Sequence, residues 1–447
     1  MVNTLYLPEL REMLASNDAP SMAEFCSALH PAAAAEFMTG LTTDEAWQVL
    51  SHAPTEVRTE IFHYFEPDRQ IEIINTQPRP YVVEVLAEMA PDDRVDLLND
   101  INPSLAKELL EQLPSEERRA TLRLQAYREG TAGAVMTTEV FTLTENLTVT
   151  QALDELTRRS KDVETIYYLY VVDDLNRLRG VLSTRDLISS LASPDATLRE
   201  IMDTGVISVD AHDDQEEVAK KVADYDLLAI PVVDDDHRML GIITHDDIID
   251  VVREEATEDA HRIAGVEPLE DGYLQTALGQ LCWNRGVWLA PLFFAALLTA
   301  GAIQRYEHEL AKWGFLVWFL PLIISSGGNS GNQSATLIIT ALTTGNVTLK
   351  DWFHVIIREV LMGLLLGGML AIVFIPIGLV WAPNAVVVVP LTLILVVLCG
   401  TVVGSVLPLV FSRLGQDPAL MSNPFVAGII DIVGIILYVQ VAILLLT

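Results

Sequence analysis

The sequence predicts a multidomain membrane protein in which a soluble, acidic part precedes an all-α membrane domain. The chain has 447 residues and a net charge of −33, and residues 1–281 carry that whole excess, with 22 basic against 55 acidic residues. Residues 282–447 hold six residues of each sign and several long uncharged apolar runs. The strong negative charge of residues 1–281 disfavours nucleic acid and anionic lipid as binding partners and favours cations.

The apolar part predicts five membrane spans, because each spanning helix needs about 20 mostly apolar residues. The runs 286–303 and 313–349 each supply one span, and 360–412 is long enough for two. The WAPN segment at 381–384 divides that pair with a proline and an aromatic residue suited to a membrane interface. The last run, 418–447, supplies the fifth span. An odd number of spans puts the two termini on opposite sides of the membrane.

The orientation follows from the charges beside the spans. With the first part in the cytoplasm, four basic residues lie inside and two outside, in agreement with the positive-inside rule. The start, MVNTLYLPELREML, lacks a basic stretch followed by an apolar core, so we expect no cleaved signal peptide. The three cysteines, Cys26, Cys282 and Cys399, have neither metal-ligand spacing nor a disulfide pattern. We therefore expect cytoplasmic N-terminal domains and an extracytoplasmic C-terminus.

Asp431 is a carboxylate near the middle of the last run, in GIIDIVGIILYV. Its burial in a bilayer costs at least ~3 kcal/mol on insertion scales, and such residues commonly mark ion paths. A protonated or paired carboxyl that only joins helices is the alternative. No basic residue lies within another predicted span to pair with it. We therefore favour an ion site at Asp431.

The segment PLIISSGGNSGNQSATLIIT, at 321–340, puts small and polar residues inside the second predicted span. Its serines and glycines recur every four residues, a spacing typical of close helix packing. Packing does not explain Asn329, Asn332 and Gln333, whose amides need partners that an aqueous pore would supply. This segment alone leaves both interpretations open.

Prolines recur through residues 30–125, mostly 11–13 residues apart. Each begins a segment with a proline suited to the first helical turn, often followed by acidic residues and then by an apolar periodic run. This pattern predicts a stack of short helices, a solenoid-like domain.

Residues 135–252 contain a duplication: VMTTEVFTL matches IMDTGVISV, and YVVDDLNRLRGVLSTRDLI matches PVVDDDHRMLGIITHDDII. Each copy predicts an apolar strand, a turn, a second strand and a helix that begins at S/T-x-x-D. The duplication is similar to a tandem CBS (Bateman) module. In that family the aspartate of this motif commonly binds an adenosine ribose, although an ordinary helix cap suits the spacing equally. The resemblance implies an adenine-nucleotide site at Tyr170, Arg185 and Asp186.

The segment 245–265 has helical periodicity and joins the soluble part to the first span. It carries seven carboxylates, several of them four residues apart, so that like charges face each other and weaken the helix. A solvated acidic face, or adaptation to high salt, is the simpler interpretation. We favour cation sensing, because carboxylate clusters on separable elements can be bridged by hard divalent cations, which prefer oxygen ligands.

The order of these parts, with GGNSGNQ in the second span, DPAL at 417–420 and Asp431 in the last span, resembles the MgtE family of magnesium channels. The resemblance covers nearly the whole chain after roughly the first 20 residues, and termini are usually the least informative part. The implied domains are a helical N domain at 1–130, an α/β tandem CBS domain at 131–252, an acidic connecting (plug) helix at 246–268 and a five-span all-α domain at 272–447.

The resemblance also implies a homodimer in the bacterial plasma (inner) membrane, with one central pore. Asp431 would be the ion-selecting carboxylate, supplied once by each subunit. The other residues implied to line or support the path are Asn423, Ala427, Gly434, Asn329 and Asn332. Mg²⁺ sheds water reluctantly, so a few carboxylates and carbonyls can bind it through its hydration shell and still let it leave.

Gating by cytosolic Mg²⁺ is implied as well. At high Mg²⁺, ions would bridge carboxylates of the helical stack, the CBS pair and the connecting helix, and that helix would close the pore. The ion would then bind the closed state better, which is negative feedback. The candidate metal-binding residues, besides Asp431, are Asp92, Asp96, Asp214, Glu216, Asp226, Asp247, Asp250, Glu254, Glu255, Glu258 and Asp259.

Two other functions remain open at this point. A secondary transporter would exchange a divalent cation for H⁺ or Na⁺, with Asp431 as the coupling site. A nucleotide-gated cation channel would respond to ATP or another adenine nucleotide at the CBS pair. We do not expect an enzyme, because the sequence has no Gly-rich phosphate loop, nucleophile elbow or His-rich metal motif.

Overall fold

The computed structural model describes residues 5–160, 163, 165–269 and 272–447. It divides the chain into two compact units, Met1–Val252 and Arg253–Thr447.

The first part of the N-terminal unit is a stack of short helices, as predicted. Among the described residues it has ten helices of 7 to 10 residues, most of which begin with a proline in the first turn. They bury one hydrophobic cluster that runs through the stack. The helices are α1 (Leu7–Ser16), α2 (Ala19–Ala28), α3 (Pro31–Phe37), α4 (Thr43–Leu50), α5 (Thr55–His63), α6 (Pro67–Thr76), α7 (Arg79–Glu88), α8 (Pro91–Asp100), α9 (Pro103–Gln112) and α10 (Ser115–Leu124).

Arginines near the helix starts join successive turns of this stack. Arg58 donates to the backbone oxygens of Leu50 at 3.3 Å and Ala53 at 3.1 Å. Arg94, only 1% exposed, donates to the backbone oxygen of Met89 at 2.7 Å. The last carbonyls of a helix have no partner within that helix, so these guanidinium groups satisfy them and fix each helix on the one before it.

The second part of the N-terminal unit holds two copies of a three-stranded sheet with helices. In each sheet the first strand is parallel to the second, and the second is antiparallel to the third. The predicted strand–turn–strand–helix order of each copy is confirmed. The elements are α11 (Ala132–Val135), β1 (Thr142–Thr144), α12 (Val149–Arg159), β2 (Tyr168–Val172), β3 (Leu178–Ser183), α13 (Thr184–Ser189), α14 (Leu198–Ile201), β4 (Val209–Asp210), α15 (Gln215–Asp224), β5 (Ala229–Val233), β6 (Met239–Thr244) and α16 (His245–Ile263).

The two copies exchange the segments that precede their sheets. Thr137, from the first copy, donates its backbone N–H to the oxygen of Ile242 on β6 at 2.8 Å. Gly241 is required there, because a Cβ at that position would overlap the Thr137 carbonyl oxygen. Reciprocally, a Cβ at Gly180 on β3 of the first copy would lie 2.6 Å from the sulfur of Met202, which belongs to the second copy. This reciprocal packing explains the repeated methionine and glycine of the duplication.

The helical stack and the second sheet share a hydrophobic core within the N-terminal unit. Val95 on α8 and Leu124 on α10 join a buried cluster with Val218 of α15 and with Ile248 and Val251 on α16. The first half of α16, the connecting helix, is therefore anchored by apolar burial despite its acidic surface.

The C-terminal unit contains the apolar helices. Four of its helices, α17, α20, α21 and α22, are long and apolar enough to cross a membrane. Helix α19 is 29 residues long and carries the polar segment 321–340, so the count of five spans stays a prediction. The helices are α17 (Leu278–Arg305), α18 (Glu307–Lys312), α19 (Phe315–Thr343), α20 (Trp352–Trp381), α21 (Val388–Arg413) and α22 (Asn423–Leu446).

The predicted break at WAPN is confirmed, because the chain turns at Pro383–Ala385 between α20 and α21. Helix α20 begins at Trp352, before the uncharged run that starts at Val360, so it includes Arg358 and Glu359. At 30 residues it is about 45 Å long, against about 30 Å for a hydrocarbon core. The charged residues Arg358 and Glu359 therefore lie inside α20 and do not mark its start.

Glycines bring α19 and α21 into backbone contact. A Cβ at Gly400 would lie 2.5 Å from the carbonyl oxygen of Gly327, and one at Gly404 would lie 3.0 Å from the carbonyl carbon of Gly331. Both helices thus present glycines four residues apart to each other, the spacing that lets membrane helices pack closely. Close packing therefore explains one face of the polar segment.

Candidate ion path in the membrane helices

A second face of α19 lies against α22, where Asp431 is found. A Cβ at Gly328 would lie 3.6 Å from the Ala427 Cβ and 3.7 Å from Asp431 Oδ1. Two turns further along α19, Asn423 Nδ2 donates to Thr336 Oγ1 at 3.1 Å. Because Gly328 is opposite Asp431 and Thr336 is opposite Asn423, the two helices run antiparallel with their polar residues in one row.

Asn332 belongs to this row. It follows Gly328 by four residues and precedes Thr336 by four, so it shares their helix face. Its Oδ1 is buried and has no hydrogen-bond partner among the residues that the structure describes. A buried amide oxygen without a partner is costly, so this one is suited to accept from a hydrated ion.

Asp431 is half-buried on this face, and in the described chain no ion pair includes it. A lone carboxylate at membrane depth needs water or a cation beside it. The absence of a Cβ at Gly328 leaves room next to Asp431 Oδ1. The geometry therefore suits a hydrated cation between α19 and α22.

Two of the predicted path residues have other surroundings. Asn329 is exposed and donates to Ser325 Oγ at 3.3 Å. It lines a separate groove of about 310 Å³, with Leu366 and Met369 of α20 on the opposite side. Gly434 shares the face of α22 that carries Asp431, but a Cβ there would lie 3.4 Å from Val396 of α21. Gly434 is thus packed against a neighbouring helix.

The S/T-x-x-D motifs are helix caps in the structure. Ser183 and Asp186 form a reciprocal capping box, and Thr244 Oγ1 donates to Asp247 Oδ2 at 2.5 Å. Tyr170 is 1% exposed, inside a cluster between the two sheets, whereas Arg185 is exposed. The predicted nucleotide residues therefore do not form one open surface.

Asp247 lies where carboxylates of the helical stack and of the second copy approach each other. Its pKa is raised to about 6, mainly by burial and also by the charges of Asp246 and Asp93, while the hydrogen bond from Thr244 acts in the opposite direction. This is the situation in which a bound cation or a proton stabilises the packed arrangement. The predicted metal-binding residues of the soluble part are spread over α8 (Asp92, Asp96), the start of α15 and the turn after it (Asp214, Glu216, Asp226) and α16 (Asp247, Asp250, Glu254, Glu255, Glu258, Asp259).

The last turn of the connecting helix makes ion pairs within the C-terminal unit. Arg262 bonds both Glu258 and Asp417, and Asp417 begins the DPAL segment before α22. Burial raises the pKa of Asp259 to about 6, with Asp417 and Glu255 adding to it. Asp417 is therefore part of this carboxylate group.

Besides these ion pairs, apolar contacts also bring the end of the connecting helix close to α22. Ile263 packs against the hydrophobic cluster of the membrane helices. At Gly265, with φ +73°, a Cβ would lie 3.3 Å from Pro424 Cγ. The end of the connecting helix thus lies beside the start of the helix that carries Asp431.

Sequence reasoning did not select Asp417 or Arg262 as functional residues. The signal for Asp417 was available in the DPAL segment, but its helix-cap role, with Oδ1 accepting from Ala419 at 2.7 Å, would account for it equally. Across residues 5–160, 163, 165–269 and 272–447, no three acidic, histidine or cysteine side chains are grouped to hold a metal ion.

Three family models match the chain in the order of these domains. The MgtE intracellular N domain matches residues 29–130, the CBS domain matches 132–193 and 198–254, and MgtE, described as a divalent cation transporter, matches 320–441. A magnesium transporter MgtE from Thermus thermophilus is 38% identical over 443 residues, which is 98% of either chain.

The chain belongs to the MgtE family.

Two further relatives named magnesium transporter MgtE agree with this membership. The one from Enterococcus faecalis is 36% identical and covers 73% of this chain and 72% of its own. The one from Bacillus subtilis is 32% identical and covers 88% of this chain and 87% of its own. The predicted family and fold class are thus confirmed.

Solved structures agree for the soluble part of this MgtE-family chain. The soluble part of a magnesium transporter has a TM-score of 0.53 and 38% identity, and covers 56% of this chain and 97% of its own. The cytosolic domain of the Mg²⁺ channel MgtE in complex with ATP has a TM-score of 0.51 and 37% identity, and covers 54% and 98%.

Proposed function

We propose that this chain is a Mg²⁺-selective channel that imports magnesium across the plasma membrane. The observation that carries the proposal is the polar row of α19 and α22, in which Gly328, Asn332 and Thr336 are opposite Asp431, Ala427 and Asn423. It lies between apolar helices and offers oxygen ligands, which Mg²⁺ prefers. Membership in a family whose relatives are named magnesium transporters supports Mg²⁺ as the cargo.

A homodimer completes this path. In one chain, the polar face of α19 is exposed at Ser325, Asn329 and Gln333, and such a face is unfavourable against lipid. This exposed face of α19 neighbours the row that faces Asp431, so a second copy that covers it brings the Asp431 of each subunit to one pore at the interface. Two carboxylates can hold a hydrated Mg²⁺ without stripping its water, which lets the ion leave again.

Cytosolic Mg²⁺ closes this pore by binding the acidic soluble domains and the connecting helix. The donor set fits hydrated Mg²⁺, because the packed state disfavours the charge of Asp247, first through burial and then through the nearby Asp246 and Asp93, and so raises its pKa. Ions at this contact would offset that cost and favour the packed, closed state. The end of α16, beside α22, is where closure would reach the path.

A coupled transporter is the rival for the same residues, and the test separates the two. Purified protein in liposomes, loaded with a Mg²⁺-sensitive dye, is given a Mg²⁺ gradient with equal pH and Na⁺ on both sides. A channel predicts rapid uptake, and collapsing or adding H⁺ and Na⁺ gradients leaves the rate unchanged. Uptake that stops without one of those gradients would contradict the channel.

An adenine nucleotide at the first CBS copy is a second candidate regulator. The STRD motif at 183–186 and the ATP complex of a neighbouring MgtE cytosolic domain favour it. Asp186 would have to exchange its cap bond with Ser183 for a ribose hydroxyl, which its exposure permits. Calorimetry with ATP on the wild type and on Asp186→Ala tests this: binding must occur in the first and weaken in the second.

A further inference from the structure

Glu359 is a second carboxylate within the apolar helices, and it is the most buried of them. It is 9% exposed and lies on α20 in a buried row with a spacing of four residues, formed by Val355, Glu359, Gly363, Gly367 and Ala371. A carboxylate in a row of small residues is unexpected for a packing face, since burying it is costly. The buried row therefore contains a carboxylate whose presence helix packing alone does not explain.

Its side chain is bound by the polar segment of α19. Ser334 Oγ, itself 4% exposed, donates to Glu359 Oε2 at 2.6 Å. A charge-assisted hydrogen bond of this length, shielded from water, is stronger than a surface one. This bond also explains why a serine follows the glycines on the packed side of α19.

The backbone of Glu359 is fixed from another side. Thr401 Oγ1 on α21 donates to the Glu359 carbonyl oxygen at 2.9 Å. A Cβ at Gly363 would lie 2.6 Å from Thr401 Oγ1, so α20 and α21 are in close contact there. Helix α20 is thereby held against α21, and the Glu359 side chain projects from this fixed base to α19.

The bond to Ser334, together with the glycine contact to α21, therefore fixes the rotation of α19 about its axis. Ser334 is two residues from Asn332, and successive residues of a helix are about 100° apart, so the two side chains lie on different faces. If α19 turned at Ser334, Asn332 and Gly328 would move relative to Asp431 and Ala427. The geometry of the ion path depends on that rotation.

We infer that Glu359 is a positioning residue for ion selection: through Ser334 it holds the polar face of α19 in register with Asp431. The inference rests on the proposed function, and it adds a residue that touches no ion. If Glu359 and Ser334 only held the helices together, their substitution would change stability and leave ion selectivity unchanged.

The experiment is a double-mutant cycle on ion selectivity in full-length protein in bilayers. The variants are Glu359→Ala, Ser334→Ala and the double variant, and the readout is the permeability of Mg²⁺ relative to K⁺. Each single variant should lower that ratio by about three- to tenfold, the range of one interhelical hydrogen bond in a membrane. The double variant should be no worse than either single one, because both remove the same bond.

Two further variants separate positioning from adhesion. Glu359→Gln keeps an acceptor for Ser334 and should recover the ratio to within about twofold. Thr392→Val is the matched control and should leave the ratio unchanged, because the buried Thr392 Oγ1 donates at 2.8 Å to the Val388 carbonyl oxygen of its own helix, α21.

Ser334→Ala loses a single atom and leaves the fold intact, so unchanged selectivity in this variant would overturn the inference. Effects of the two single variants that multiply in the double variant would overturn it as well. A wild type that carries no Mg²⁺ current would instead refute the proposed function.

Discussion

The N-terminal unit and the C-terminal unit use carboxylates in different ways. In the first, they are numerous and close together, and Asp247 has a pKa of about 6 through burial, with the charges of Asp246 and Asp93 acting in the same direction. In the membrane helices they are few, and each has one defined place: Asp431 is opposite Gly328, and Glu359 binds Ser334. Many neighbouring carboxylates suit a graded response to cation concentration, whereas single carboxylates at defined positions suit an ion path. Substitution of a single carboxylate should therefore have a small effect in the first unit and a large effect at Asp431 or Glu359.

The largest effect is expected at Asp431. Asp431→Ala removes the only carboxylate of the polar row between α19 and α22 in the described chain, so Mg²⁺ current should fall to background while the proposed dimer stays assembled. Bilayer recording measures the current, and size-exclusion chromatography the assembly. Glu307→Gln, an exposed carboxylate of the same unit, is the control and should conduct normally. Unaltered Mg²⁺ current in Asp431→Ala would refute the path.

The next effect is structural and concerns the glycine contact. Gly404→Leu would push its side chain into the carbonyl of Gly331, and overpacking of this kind costs about 1–3 kcal/mol or more. Its melting temperature in detergent should fall clearly. Gly368→Leu is the matched control, because a Cβ at Gly368 meets no atom within 4 Å. Equal melting of the two variants would mean that α19 and α21 are not in glycine contact.

A smaller effect is expected from protons at the acidic contact of the N-terminal unit. The pKa of Asp247 is raised from 3.8 to about 6, so the packed state binds the proton more tightly than the unfolded chain. Stability without Mg²⁺ should therefore rise as pH falls through about 6, and the gain should be complete near pH 4. The complete gain is on the order of 2–3 kcal/mol, because the shift is about two pKa units and each unit corresponds to about 1.4 kcal/mol.

Urea unfolding of the full chain at neutral and mildly acidic pH, in a Mg²⁺ chelator, checks this direction. Asp247→Asn serves as the matched variant, because it lacks the titrating group: it should be more stable at neutral pH and lose most of the pH response. If stability instead fell on mild acidification in both proteins, the burial of the charged Asp247 carboxylate would not control the pH response.

The smallest effect is expected at Arg262, whose ion pairs with Glu258 and Asp417 are partly exposed. Such pairs contribute about 0–1 kcal/mol, so Arg262→Gln should raise the open probability at low cytosolic Mg²⁺ by no more than about fivefold. Arg253→Gln, an exposed position on the same helix, should not change it. A lower open probability in Arg262→Gln would mean that the pair favours the open state.

Much of the fold could be predicted, because the signals are local. Proline spacing predicts the stack, the duplicated S/T-x-x-D segments predict two copies of one unit, and WAPN predicts the break between α20 and α21. The span count stays a prediction, because the polar residues of α19 weaken the apolar signal of that helix.

The sequence could predict a residue of the candidate site only where that residue is of an unusual type for its own segment. Asp431 is conspicuous among apolar neighbours. Glu359 stands next to Arg358 at the edge of an uncharged run, so its burial depends on contacts with Ser334 and Thr401 that no local pattern reveals. The different surroundings of Asn329 and Asn332 likewise depend on which helices pack beside α19. Tertiary contacts decide these positions.

The most direct measurement is the unitary current of the purified full-length protein in a bilayer while Mg²⁺ on the cytosolic side is raised from micromolar to tens of millimolar. We predict Mg²⁺-carried unitary currents that close as cytosolic Mg²⁺ rises, because the ions favour the packed state of the acidic domains. Absence of unitary current, together with slow Mg²⁺ uptake that needs a second ion gradient, would contradict the channel. Currents that persist at high cytosolic Mg²⁺ would contradict the sensor.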